Sequence, residues 1–187
     1  MKPIRWAVGL FLAVASQSTL ADVAIAEQRV WREGERYLVH FVAVLNAPAD
    51  RVRQRLTDYN HLHRLSETIH ESLLLDADPP RYTVRVRSQG CIGIFCRDLE
   101  QVQEVLERDD GFIVVEDIPG QSDFRAARAV WRVIAIEGDH SRVTYSAELL
   151  PDFWIPPLLG PSLFSERLAR ETRQLLDNLE RLALESH

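Results

Sequence analysis

The chain has 187 residues, 46% of them hydrophobic, with 28 acidic side chains against 22 basic ones. That length suits one domain with a sizeable core and leaves little room for a second. A formal net charge of −6, with no basic run, argues against nucleic acid and against docking on an anionic membrane surface.

The N-terminus speaks to compartment. Lys2 and Arg5 lead into the apolar run WAVGLFLAVA, Trp6 to Ala15, and SQSTLA follows with Thr19 and Ala21 at small-residue positions. This is the pattern of an export signal cleaved after Ala21. A transmembrane anchor would need about 20 apolar residues, whereas polar residues resume here at Ser16. Residues 1–21 are therefore read as a signal peptide and residues 22–187 as a single domain, periplasmic or secreted, with a short lead-in at Asp22 to Gln28. Cleavage removes Lys2, the only lysine, together with Arg5, which leaves 20 arginines against 28 acidic residues.

Beyond the lead-in the apolar period is two. In RYLVHFVAVL the residues Tyr37, Val39, Phe41, Ala43 and Leu45 share one strand face, and NAPAD ends the strand. A short helix follows with Val52, Leu56 and Tyr59 on one side, then a second short helical turn at NHLHRL. Six further strands are predicted, at Ile69 to Leu75, Tyr82 to Ser88, Arg97 to Leu106, Phe112 to Ile118, Phe124 to Ile136 and Arg142 to Leu150. Turn signals at DADPP, GCIG, RDDG, PGQSD and EGDHS separate them, and connections this short require antiparallel neighbours. From Gly160 the period turns helical, with Phe164, Leu168, Thr172, Leu175, Leu179 and Leu182 in one stripe. Leu175 is read as a deep core position of that stripe.

Cys91 and Cys96 lie five apart in QGCIGIFCRD, with Gly90 and Gly93 allowing a bend between them. In an exported chain they are read as a structural disulfide stapling a strand-to-strand turn; free thiols are the alternative. A redox pair would favour the C-x-x-C spacing, and a metal site lacks further cysteines. Closing so small a loop contributes roughly 2 kcal/mol in the chain-entropy account.

Seven antiparallel strands with one apolar face, two short helices after the first strand, and one long amphipathic helix have an economical α+β arrangement. The sheet curls and the helix lies across its concave side. Two segments carry a family resemblance: VLNAPADRVRQRLTDYNHLHRL, a strand running into a proline-led helix and a D-Y turn, and AVWRVIAIEGDHSRVTYSAELLPDFWIPP, a tryptophan strand, tight hairpin, tyrosine strand and proline-rich lead into the last helix. These resemble the helix-grip fold of the START-like, polyketide cyclase/dehydrase superfamily over Tyr37 to Ala183. The nearest branch by pattern is the coenzyme Q-binding and ribosome-association-toxin-like group, whose members are usually intracellular. The export signal departs from that branch; it argues against ribosome binding and removes mitochondrial quinone biology as a direct analogy.

The resemblance implies a cavity between sheet and helix. Alternation then nominates Phe41, Tyr82, Val84, Trp131 and Tyr145 from the strands, and Phe164, Leu168 and Thr172 from the helix, as its lining. The segment PDFWIPPLLGP reads as a rim that offers Phe153 and Trp154 to a ligand, or as plain core closure. An apolar lining with two phenols and a hydroxyl suits a lipid, quinone, isoprenoid or polyketide-like molecule. No catalytic motif, cofactor or metal site is expected; His61, His63 and His70 fit a surface turn, and Arg125 and Arg128 fit either outward ion pairs or a head-group contact. The leading expectation is a monomeric binding or carrier protein for a hydrophobic small molecule, without stable membrane insertion. A cyclase or dehydratase acting in the same cavity, and a protein-interaction module, are the alternatives.

Overall fold

The computed structural model describes residues 23–92, 95–155 and 160–185. The signal segment and its cleavage site, Gly93, and residues 156–159 of the proline-rich run lie outside the described residues. The elements run β1 (Ala24–Glu33), β2 (Arg36–Leu45), α1 (Ala49–Leu56), a 3₁₀ turn (Leu62–Arg64), β3 (Ile69–Asp78), β4 (Arg81–Ile92), β5 (Phe95–Glu107), β6 (Phe112–Asp117), β7 (Phe124–Ile136), β8 (His140–Pro151) and α2 (Gly160–Leu184). All strands join one antiparallel sheet in the order β1-β2-β8-β7-β6-β5-β4-β3. Helix α2 packs across its concave face, giving the helix-grip α+β arrangement that the periodicity predicts.

The sheet has eight strands where the sequence pattern gives seven. Strand β1 covers the stretch read as a lead-in, and it pairs with β2 over Ala24↔Val44 to Glu33↔Arg36. Its side chains are almost all exposed, without the alternation that marked its neighbour. A strand that packs only Ile25 and Val30 partly against the core, five residues apart and of opposite parity, leaves no clear period-two trace in the sequence. Its backbone hydrogen bonds to β2 hold it in place.

The core sits where β2, β8, β7 and the adjoining strands meet α1 and the C-terminal half of α2. Phe41, Leu45, Val52, Val84, Leu176 and Leu179 are fully buried there. Leu176 was not part of the predicted stripe, and Leu175 is only partly buried. The two neighbours therefore exchange roles: Leu176 enters the core and Leu175 faces a space beside it. The turn before β6 has one steric requirement. Gly111 adopts φ +84°, and a Cβ at that position would lie 2.6 Å from the Val133 carbonyl oxygen, so the close approach of this turn to β7 needs glycine.

The last turns of α2 are pinned by polar contacts as well as by burial. Asn46 N–H donates to Glu180 Oε2 at 2.7 Å, with Glu180 itself buried. Arg55, also buried, donates through Nε to the Leu182 carbonyl at 2.9 Å. A cation on the terminal carbonyls satisfies acceptors that the helix cannot satisfy itself and complements its dipole. Among the described residues no helix is long and apolar enough to cross a membrane.

Candidate functional site

Beneath the N-terminal half of α2 the packing gives way to a cavity of about 330 Å³. Small side chains create it. Ser88 and Gly90 on β4, and Ala127 and Ala129 on β7, border the space, and they cannot reach the helix as Phe41 and Val84 do in the core. From above, the helix contributes Phe164, Leu168, Thr172 and Leu175.

Six of the predicted lining residues meet here: Tyr145, Phe153, Trp154, Phe164, Leu168 and Thr172. Four do not border the cavity. Phe41 and Val84 are fully buried in the core. Trp131 is buried and stacks on Tyr145, with ring centroids 4.1 Å apart. Tyr82 lies at the filled end of the sheet against Tyr59, with centroids 5.1 Å apart. All four have the right strand parity. Tyr82 and Val84 sit too far along β4, whereas Phe41 and Trp131 lie level with their cross-strand partner Tyr145 but belong to the packed core. Alternation reports which face a residue occupies and says nothing about position along the helix axis.

The proline-rich segment divides between the two roles expected of it. Phe153 is half-buried, packed edge-on against Phe124 at 5.5 Å and Phe164 at 6.3 Å, with Arg97 over its ring at 5.4 Å. Trp154 is 70% exposed while still bordering the cavity. Phe153 thus closes the wall and Trp154 stands at the rim.

The polar groups of the lining are the part that strand alternation had not nominated. Gln101 and Gln103 on β5 and Asp117 on β6 border the cavity. Gln101 Nε2 donates to both Asp117 oxygens at 3.1 and 3.0 Å, and Gln103 Nε2 donates to Oδ1 at 3.0 Å. Burial holds the Asp117 carboxyl above the usual carboxylate range, partly offset by hydrogen bonds from Gln101, Gln103 and Ser122. The signal was present in LEQVQEVLE: Leu99, Gln101, Gln103 and Val105 share one parity, so two amides occupy inward positions. Polar residues on a core face mark a place where the core is not filled.

Tyr145 and Thr172 add two hydroxyls. Neither makes a side-chain hydrogen bond to another described residue, and both border the cavity. Burial pushes the Tyr145 phenol up to about 12, so it stays protonated and able to donate at neutral pH.

Cys91 and Cys96 form the expected disulfide, directly opposite each other in the β4–β5 ladder and bordering the same cavity. Arg125 and Arg128 pair outward, Arg125 with Glu35 at 2.9 Å and Arg128 with Glu116 at 2.7 Å. Arg128 also borders the cavity. His61 is held by Asp58 at 2.7 Å and lies beside His63 in the turn predicted for them.

A curled antiparallel sheet gripping one long helix over an internal space defines the helix-grip class. The chain belongs to the polyketide cyclase/dehydrase and lipid transport family, whose model matches residues 38–183. No curated protein matches the sequence. Solved structures share the fold at low identity. A STAR-related lipid transfer protein fragment from Xanthomonas axonopodis is 19% identical with a TM-score of 0.66, covering 88% of this chain and 100% of its own. The Zhui aromatase/cyclase from a Streptomyces species is 11% identical with a TM-score of 0.67, covering 79% of this chain and 93% of its own. The protein TTHA0849 from Thermus thermophilus is 18% identical with a TM-score of 0.65, covering 79% of this chain and 97% of its own.

Proposed function

We propose that this is an exported binding or carrier protein for a hydrophobic small molecule, held between the sheet and the N-terminal half of α2. The observation that carries the reading is the unfilled cavity of about 330 Å³, walled largely by small and apolar side chains with a polar cluster on β5 and β6, in a domain whose other end is closely packed. That volume is at the lower end of the range for small-molecule sites. The family description, which names lipid transport, and the lipid transfer neighbour agree with it. Export rests on the N-terminal pattern, and the disulfide is compatible with an oxidising compartment.

An enzymatic reading, a cyclase or dehydratase, has one observation in its favour. Asp117 is a cavity carboxyl whose raised pKa would suit proton transfer. The two readings separate on what comes out. Native mass spectrometry and solvent extraction of protein purified from its own compartment should yield a retained lipophile, released chemically unchanged. A cavity that returns no lipophile and takes up no apolar probe overturns carriage.

The rim residue gives a sharper test. Trp154→Ala should weaken apolar-probe binding by roughly tenfold while leaving thermal unfolding nearly unchanged, because its side chain is largely exposed. Loss of fold stability without a separate loss of binding would make the segment a plug.

A further inference from the structure

The carrier reading leaves open which end chemistry the cavity accepts, and its charged groups can be set out individually. Arg97, Arg128 and Arg167 border the space, and each is already paired with a carboxylate: Arg97 with Asp123 at 2.7 Å, Arg128 with Glu116 at 2.7 Å, and Arg167 with Glu171 one helical turn on. Glu171, the partner of Arg167, borders the cavity too. Asp117 is the remaining charged group of the lining, and among the described residues no cation pairs with it.

The neighbours of Asp117 extend its character. Both glutamines turn their amide N–H groups toward the carboxylate, which leaves their two carbonyl oxygens, and a second N–H of Gln103, with unused hydrogen-bonding capacity. Carboxylate and amide carbonyls are acceptors, and they outnumber the single remaining N–H of the cluster. A ligand end placed against this cluster is stabilised if it donates hydrogen bonds. An anionic end placed against this half-buried cluster would meet acceptors and a like charge, which is unfavourable; the Tyr145 and Thr172 hydroxyls stand on β8 and α2, outside the cluster.

Resting on the carrier reading, we propose that Asp117, Gln101 and Gln103 form a head-group site that selects lipophiles ending in a hydrogen-bond donor, a hydroxyl or an ammonium, and rejects those ending in a carboxylate. Asp117 is the specificity-determining residue. The glutamines orient its oxygens and present the further acceptors. Selection of this kind is a difference of affinities, produced as much by the penalty on the wrong head as by the bond to the right one.

The test is a matched series on the full mature protein: dodecanol, dodecylammonium and dodecanoate, below their micellar concentrations, displacing a neutral phenylnaphthylamine fluorophore. Dodecanol and dodecylammonium should each bind at least about tenfold more tightly than dodecanoate. Asp117→Asn should contract that gap, chiefly by improving dodecanoate. Glu104→Gln, which alters an acid paired with Arg81 away from the cavity, should leave the ranking as in the wild type, separating a local site from the chain's overall negative charge. Equal affinities across the series, tighter binding of dodecanoate, or a ranking unmoved by Asp117→Asn overturns the head-group site while leaving the carrier reading intact. Failure of every probe to bind overturns both. The wild-type series needs no variant to fold, so it decides the matter even if Asp117→Asn is unstable.

Discussion

The two halves of α2 share one amphipathic helix and do opposite work. From Arg173 onward its side chains and carbonyls reach the rest of the molecule: Arg173 to Gln28, Asp177 to the Val23 amide, Asn178 to the Leu65 carbonyl, Glu180 to Asn46, and the Leu182 carbonyl to Arg55. Before Arg173, the side-chain hydrogen bonds among the described residues stay within the helix, Ser165 to the Pro161 carbonyl and Arg167 to Glu171. The C-terminal half is fastened to a filled core, and the N-terminal half spans a space. An amphipathic stripe specifies that a helix is buried; the residues opposite it decide whether that burial is against protein or against a cavity.

Leu179→Ala should break the fastened half most severely. The side chain is fully buried, and its removal should cost about 2–5 kcal/mol in urea unfolding. Glu180→Ala comes next, at about 1–3 kcal/mol, because it strands the Asn46 amide against the helix; a smaller loss would mean that water replaces the carboxylate. Leu168→Ala should act differently. It is partly buried and borders a space that already exists, so its stability cost should fall clearly below that of Leu179→Ala, while apolar-probe affinity drops. A loss as large as that of Leu179→Ala would erase the distinction between the halves.

The smallest effect concerns Asp117. Burial raises its folded-state pKa above the ordinary 3.8, so as pH rises the unfolded chain releases this proton first. Its contribution therefore favours the fold below that window and is lost as pH rises through the folded pKa. The stability difference between wild type and Asp117→Asn should shift against the wild type over the same interval. A difference independent of pH would remove burial as the dominant influence.

Much of this was legible in the chain. Tyr37 to Leu45 alternates because one face meets the core, and Phe124 to Ile136 was bounded to the residue because turn chemistry flanks it on both sides. Strand β1 was hidden for the converse reason, since exposed Glu27, Arg29 and Arg32 follow no burial period. The cavity was half legible. Phe164, Leu168 and Thr172 are fixed by helical spacing, whereas Phe41, Val84 and Trp131 were drawn into the lining by parity alone. Separating cavity from core required knowing which small residues, Ala127 and Ala129 among them, stand across from the helix, and that depends on strand register.

Register gives the disulfide a further consequence. Cys91 and Cys96 face each other in the β4–β5 ladder, which aligns Ser88 with Leu99, Val86 with Gln101 and Val84 with Gln103. A slip of one residue would turn every β5 side chain to the opposite face, presenting Glu100 and Glu104 to the cavity and Gln101 and Gln103 to solvent. A covalent tie at the hairpin tip forbids that slip. The bridge thus acts as an indexing pin, keeping the chemical identity of the ligand space constant from one folded molecule to the next.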